Sequence, residues 1–299
     1  MAIVTNDGAS LKEEEARAIR GGERPVAWSV TPDVLSDKEF GLFRDMIYEI
    51  AGISLAPAKK ALVAGRLGKR LKHYGLRSFR DYFQLIQAPT NRDERQVAID
   101  LLTTNETYFF RETKHFDFLH NELQNMTLQG RPFRVWSAAS SSGEEAYSIA
   151  MLLAHRLGNA PWEILASDIS TRVLEKARSG LYPIARTKDI PPDYLKRFCL
   201  KGVGRHEGMF LVDKSLRDRV EFRQLNLNER LPSVGSFDAI FLRNVLIYFN
   251  QETKRKVIDR LVPLLRPGGC FLVGHSESLH GVNAKLKLLQ PSIYRVAEA

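Results

Sequence analysis

Cysteine is nearly absent. Only Cys199 and Cys270 occur in 299 residues, with no paired spacing and no cluster of His and acid beside them, so neither a disulfide framework nor a structural zinc site is supported. Both read as buried thiols. No run approaches the ~18–20 uninterrupted apolar residues that a membrane span needs, and the opening around Asp7, Glu13, Glu14 and Glu15 is acidic where a secretory leader is basic. A cytoplasmic protein without membrane insertion is expected. What remains, 44% hydrophobic and 26% charged, is ordinary globular composition, long enough for one large domain or two smaller ones.

Acid is missing from one stretch in particular. Lys plus Arg number 44 against 35 Asp plus Glu, a formal +9. Residues 59–80, KKALVAGRLGKRLKHYGLRSFR, hold eight Lys or Arg and no acid, so this segment carries nearly the whole excess. Such a patch suits an anionic macromolecular partner; a solvated basic face is the plain alternative.

Residues 1–35 have few bulky apolar side chains over most of their length and read as a flexible tail. Ser36 with Glu39 three residues on is a capping box, and Phe40, Phe43, Ile47 and Ile50 then share a helical face. On a second helix Val63, Leu67, Leu71 and Tyr74 share a face beside a basic stripe of Arg66, Lys69, Arg70, His73 and Arg77. With short helices over 79–87 and 95–102, residues 36–118 are expected to form an all-helical domain. From residue 131, β-rich runs (FRVWSAA, EILASDI, VEFRQLNL, FDAIFLR, CFLVGH, SIYRVA) alternate with helical patterns, and a turn is expected at Pro267-Gly268-Gly269. The fold class expected for 119–299 is therefore α/β, with a doubly wound parallel sheet. Between Gly180 and Val220 lie about 40 residues where a helix-to-strand loop takes ~2–6, so a small β-containing subdomain is inserted over about 181–219.

In such sheets ligands bind beyond the carboxyl ends of the strands. After the first strand comes Ser137-Ala138-Ala139-Ser140-Ser141-Ser142-Gly143-Glu144-Glu145. Its small side chains admit a ligand close to the backbone. It is not G-x-G-x-x-G, and two carboxylates stand where a pyrophosphate would bind, which disfavours an anionic dinucleotide and an NAD-dependent oxidoreductase; a ligand with an ammonium and a sulfonium would tolerate them. A Ser-rich helix cap explains the same residues without any ligand. Asp168 ends the second strand where an acid can hold ribose hydroxyls, or can cap the next helix. Arg243 breaks an apolar run on strand four and needs an anionic partner such as Asp238 or Glu277.

Four segments, WSAASSSGEEAYSIAM, TTNETYFFRE, ASDISTRVLEKARSGLYP and FDAIFLRNVLIYFN, in this order behind a helical domain, resemble the bacterial chemotaxis receptor glutamate methyltransferases, the CheR family. The resemblance runs from about residue 36 to the C-terminus. It implies an S-adenosylmethionine (AdoMet) sheet domain, with S-adenosylhomocysteine (AdoHcy) as product and no metal, methylating glutamates on the cytoplasmic helical bundle of chemoreceptors. Carried over motif by motif, Asn105, Thr107 and Arg111 would line the cofactor cleft from the helical side and Glu145 would face the methionine end. Asp168 would hold the ribose, Asn226 and Leu227 would border the adenine, and Arg243 and Asn244 would close the pocket. Arg111 and Tyr248 would be catalytic. Ser140 replaces a frequent Cys or Ala and Ala146 a frequent Pro, changes that leave the ligand chemistry alone. Arg66, Lys69 and Arg70 would meet the Glu-rich receptor. The KGVGRHEG loop resembles that of family members which dock a peptide from the receptor C-terminus by strand addition, expected here at the strand with Phe210 and Val212.

An RNA methyltransferase would suit a basic helical domain equally well, but the chain has no Asn or Asp followed by Pro-Pro-Tyr after strand four, and its basic stripe lacks interleaved exposed aromatics, so no nucleic-acid partner is expected. A non-catalytic AdoMet-binding signalling adaptor would have no use for a complete pocket.

Overall fold

The computed structural model describes residues 31–124 and 130–296, so the tail expected over residues 1–30 lies outside the described residues. Residues 31–35 are anchored. Leu35 is buried, and the Asp33 amide donates to the Arg77 carbonyl.

Helix α1 (Asp37–Ala51) starts at the expected capping box, with the Glu39 amide donating to Ser36 Oγ and the Glu39 carboxylate accepting from the Ser36 amide, and ends at Gly52. A Pro57–Lys59 turn leads into α2 (Lys60–His73), followed by α3 (Phe79–Gln87) and α4 (Arg92–Leu102). Their apolar faces close one core around Phe43, Ile47, Val63, Leu67, Leu71 and Tyr82. Tyr74 stays largely exposed, its hydroxyl donating to Glu94 instead.

Helix α5 (Lys114–Gln124) belongs elsewhere. Its Phe116, Leu119 and Leu123 pack with Phe133, Val135 and Phe241 of the sheet, so the stretch 114–118, read with the helices from sequence, joins the second unit. The sheet comprises β1 (Phe133–Ser137), β2 (Trp162–Asp168), β6 (Val220–Gln224), β7 (Phe237–Leu242), β8 (Leu265–Val273), β9 (Leu286–Gln290) and β10 (Ile293–Val296), in the order β6-β2-β1-β7-β8-β10-β9. The first five are parallel; β10 runs antiparallel to β8 and β9 antiparallel to β10. Alternate residues feed two cores, as the period of two requires. Val135, Phe241 and Leu272 meet α5 and α6 (Glu144–Leu157), while Trp136, Ile240 and Phe271 meet α10 (Gln251–Leu261).

Two strand readings needed the structure. Pro267-Gly268-Gly269 lies inside β8, where the register against β7 shifts, so the expected turn is an irregularity within one strand. Strand β9, largely exposed, carries little alternation and escaped the sequence pattern.

The insertion follows α7 (Thr171–Ser179). It consists of β3 (Leu181–Pro183), α8 (Pro192–Phe198), β4 (Cys199–Lys201), β5 (Met209–Val212) and the short α9 (Lys214–Arg217), with an antiparallel sheet ordered β3-β5-β4. In the main sheet the chain runs outward from β1 to β2 and β6, then returns to β7 on the other side of β1. That reversal opens a crevice above the carboxyl ends of β1 and β7, beneath the helical unit.

Candidate active site

A cavity of about 370 Å³ occupies this crevice, within the range of small-molecule sites. Its walls include Asn105, Thr107 and Arg111 from the segment joining the two units, and Glu145 from the first turn of α6. Asp168, Asn226 and Leu227 come from the ends of β2 and β6, and Arg243, Asn244 and Tyr248 from the end of β7. Every residue expected at the cofactor or in catalysis therefore borders one cavity, although more than 100 positions separate the first from the last.

The two units are pinned across the crevice by polar bonds. Asp100 of α4, itself buried, accepts from the Thr171 and Arg172 amides and from the Thr171 hydroxyl, capping α7 from the other unit. Ile53 pairs with Phe249 as an isolated antiparallel bridge, and the Ser54 amide donates to the Tyr248 carbonyl. Asn226 Nδ2 donates to the Ile50 carbonyl at 2.7 Å and to Glu229 at 2.9 Å. Its side chain is thus spent on joining the units, which leaves Leu227 and the backbone to border a ligand.

Arg243 does not pair with Asp238 or Glu277. Asp238 binds Arg131, Arg266 and the Arg134 amide, and Glu277 accepts from the amides of Asn244, Gly274 and Ile247. The Arg243 side chain, 1% exposed, is held between Glu145 (Nη1 to Oε2, 2.8 Å) and Glu112 (Nη2 to Oε2, 2.9 Å), and Nη2 also donates to the Arg111 carbonyl. Two carboxylates on one guanidinium satisfy a charge that would be costly to bury alone. Glu112 also accepts from Asn244 Nδ2 and from the His275 amide. Burial would raise its carboxyl, but Arg243 and these donors hold it below the usual range.

Glu112 is the member of this charge network that sequence reasoning missed. It stands beside Arg111 in TTNETYFFRE, yet nothing in the string shows that its backbone turns into the left-handed region (φ 59) to aim the carboxylate at a strand-end Arg. The same turn brings Glu112, His115 and His275 within 4.8 Å, a grouping that spacing could not show for residues so far apart. A metal fits poorly there, because Arg243 is already the cation on that carboxylate. His115 is buried; its Nε2 bonds Ser292 Oγ, and burial together with Arg243 lowers its pKa to about 3, so it is neutral.

Asp168 receives the amides of Ser141 (2.9 Å) and Ser170 (3.0 Å), so it organises the small-residue loop as well as facing the cavity. Burial pushes its pKa up against these bonds. Gly143, at φ 94, opens α6; a Cβ there would lie 2.8 Å from Ala177 Cβ and 2.9 Å from the Tyr182 hydroxyl. The segment 103–113 has no regular structure and is fixed by side chains donating to its carbonyls: Ser141 to Asn105, Arg111 to Glu106, Arg186 to Thr107 and Arg243 to Arg111.

The expected receptor contacts fare less uniformly. Arg66 donates to the carbonyls of Leu101 and Thr103 at the end of α4, and Arg70 makes a two-pronged bond to the buried Glu94, which also accepts from Tyr82. These two arginines are internal fasteners. Lys69 is exposed, as are Lys72 and Arg80, so the basic face persists in reduced form. Phe210 and Val212 are buried, and β5 is flanked on both sides by β3 and β4, so no strand can add there. Phe210 packs instead against Phe109 and Tyr182, under the cofactor-side segment.

A doubly wound sheet with a small-residue loop after its first strand, a strand-end acid, and a cavity closed by a helical unit defines an α/β enzyme for a nucleoside-type cofactor. The chain belongs to the CheR methyltransferase family: residues 105–295 match its SAM binding domain and residues 38–103 its all-alpha domain. It is similar to the chemotaxis protein methyltransferase of Escherichia coli (strain K12), 44% identical over 267 residues that span 88% of this chain and 92% of that protein. The Salmonella typhimurium protein of the same name is 44% identical over 285 residues, 94% of this chain and 98% of its own. Chemotaxis protein methyltransferase 2 of Pseudomonas aeruginosa is 43% identical, over 87% of this chain and 93% of its own length.

Proposed function

We propose that this chain uses AdoMet to methylate glutamate side chains of chemoreceptors in the cytoplasm, giving glutamate methyl esters and AdoHcy. The observation that carries the reading is the convergence of Asn105, Thr107, Arg111, Glu145, Asp168 and Asn244 on one cavity in a chain of this family. The donor set suits the group. Two carboxylates, Glu145 and Asp168, border a space also lined by Ala138 and Ala139, and offer acceptors for an ammonium and for ribose hydroxyls. When bound, AdoMet supplies a sulfonium methyl and a neutral thioether leaving group.

A glutamate carboxylate (pKa ~4.3) is ionised at neutral pH, so the chain need not remove a proton. Its task is to align one carboxylate oxygen with the methyl and to exclude water. The new O–C bond forms as the C–S bond breaks and its electron pair stays on sulfur. Arg111, on the cavity wall with its own backbone held by Arg243, orients the incoming carboxylate. Tyr248 offers its hydroxyl at the same wall. The charge of Arg243 is balanced by Glu112 and Glu145, so it shapes the pocket and does not compete with Arg111 for substrate.

Lys69 and its exposed neighbours steer the acidic receptor bundle. For the receptor C-terminal peptide, the available edge is β4: Leu200 is 54% exposed and Val203 78%, whereas β3 ends in Pro183, which lacks an amide donor. The RNA reading is weakened, since Arg66 and Arg70 are committed internally. The test is transfer of labelled methyl from AdoMet to a purified chemoreceptor, followed by strong base. Volatile methanol establishes a carboxyl ester; base-stable label refutes glutamate methylation.

A further inference from the structure

The segment 103–113 forms one wall of the cavity without any ladder of its own, so its shape depends on what grips it. Among the side chains that donate to its carbonyls, Arg66 comes from the helical unit, Ser141 and Arg243 from the sheet unit, and Arg111 from the segment itself. Arg186 comes from the inserted subdomain, and its Nη1 donates to the Thr107 carbonyl at 2.6 Å. Two residues on, Phe109 is wedged against Tyr182 and Phe210 of the same subdomain, at ring separations of 5.1 and 5.7 Å. Tyr182 in turn donates to the Ser142 carbonyl in the small-residue loop.

Arg186 also answers a charge. Glu144, fully buried at the start of α6, has one oxygen bonded to Ser142 Oγ, while Oε1 has no hydrogen-bond partner and lies 3.9 Å from Arg186 Nη1. A buried carboxylate needs a cation or a full set of donors, and this guanidinium supplies the cation.

We propose that Arg186 is a positioning residue for the methyl donor, making the inserted subdomain part of the cofactor site through Thr107 and Glu144. This rests on the reading of the cavity as the AdoMet site. Arg186 touches no reacting atom; it sets the wall against which the cofactor binds. The subdomain therefore does more than offer an edge for strand addition. Its loss of grip should weaken cofactor binding and leave the chemical step unchanged once AdoMet is bound.

The experiment is calorimetric titration of AdoHcy into the full chain, with kinetics in AdoMet, for wild type, Arg186→Ala, Arg186→Lys and, as a control on the same turn, Lys188→Ala. Arg186 is half-exposed, so the fold should survive its truncation. The expected result is a Kd and a KM for AdoMet raised about five- to tenfold in Arg186→Ala with kcat retained, a large recovery in Arg186→Lys, and wild-type values in Lys188→Ala. An Arg186→Ala Kd equal to wild type overturns the inference while leaving the cofactor reading intact. A defect shared by Lys188→Ala, or one that Arg186→Lys does not relieve, also overturns it. Failure of wild type itself to bind AdoHcy removes the cofactor reading and this inference with it.

Discussion

Replacing Glu112 by Gln tests whether the clamp on Arg243 organises the site. The variant keeps the size of the side chain but offers one oxygen where two are now used, one toward Arg243 and one toward Asn244. Its amide nitrogen must then face a donor. Breaking a buried ion pair outright costs about 3–5 kcal/mol; here Glu145 and the Arg111 carbonyl still hold the guanidinium, so about 2 kcal/mol is expected. For a chain of this size that lowers Tm by about 5 °C. Because Arg243 and Asn244 border the cavity, the AdoHcy Kd should rise by about tenfold in the same variant. Calorimetry reads both quantities on one preparation. A Tm within 1 °C of wild type, or a large Tm loss with an unchanged Kd, would refute the argument, the first by denying the clamp and the second by uncoupling it from the pocket.

Two further outcomes follow from the same geometry. Gly143→Ala forces a Cβ onto Ala177 and Tyr182 at a left-handed φ, so it should cost about 2 kcal/mol or more and abolish AdoHcy binding; near-normal binding would show that the loop after β1 has room the structure denies it. His115 gives a pH signature. The unfolded imidazole takes a proton near pH 6.5, whereas the folded one, neutral through burial and its nearness to Arg243, resists down to about 3. Its contribution is complete above pH 6.5 and is lost as pH falls, by about 1.4 kcal/mol between pH 7.5 and 5.5. His115→Gln should flatten that part of the stability profile, and a variant profile parallel to wild type would sink the assignment.

The strands and helices that carry the site were legible because local rules fixed them. The capping box at Ser36 and Glu39 started α1 where expected, and the alternation from residue 131 announced a sheet whose first and fourth strands end at the cavity. The cavity residues were found through strand-end position and family resemblance, and all lie together. The basic stripe was misjudged at Arg66 and Arg70 for a physical reason: a helical period gives the direction of a side chain but not whether a carbonyl or a buried carboxylate waits there. Likewise Phe210 and Val212 showed a strand without showing that it lies in the middle of its sheet.

The sequence by itself determined the two units, the inserted subdomain and the loops at the strand ends, because capping, periodicity and connection length are local properties of the chain. Only the tertiary structure decided which charges pair. Arg243 with Glu112 and Glu145, Asp100 with α7, and Arg186 with Thr107 and Glu144 join residues far apart in the chain. Such partners are selected by the cost of leaving a buried charge or carbonyl unmatched, and that cost exists only once the surrounding elements have packed.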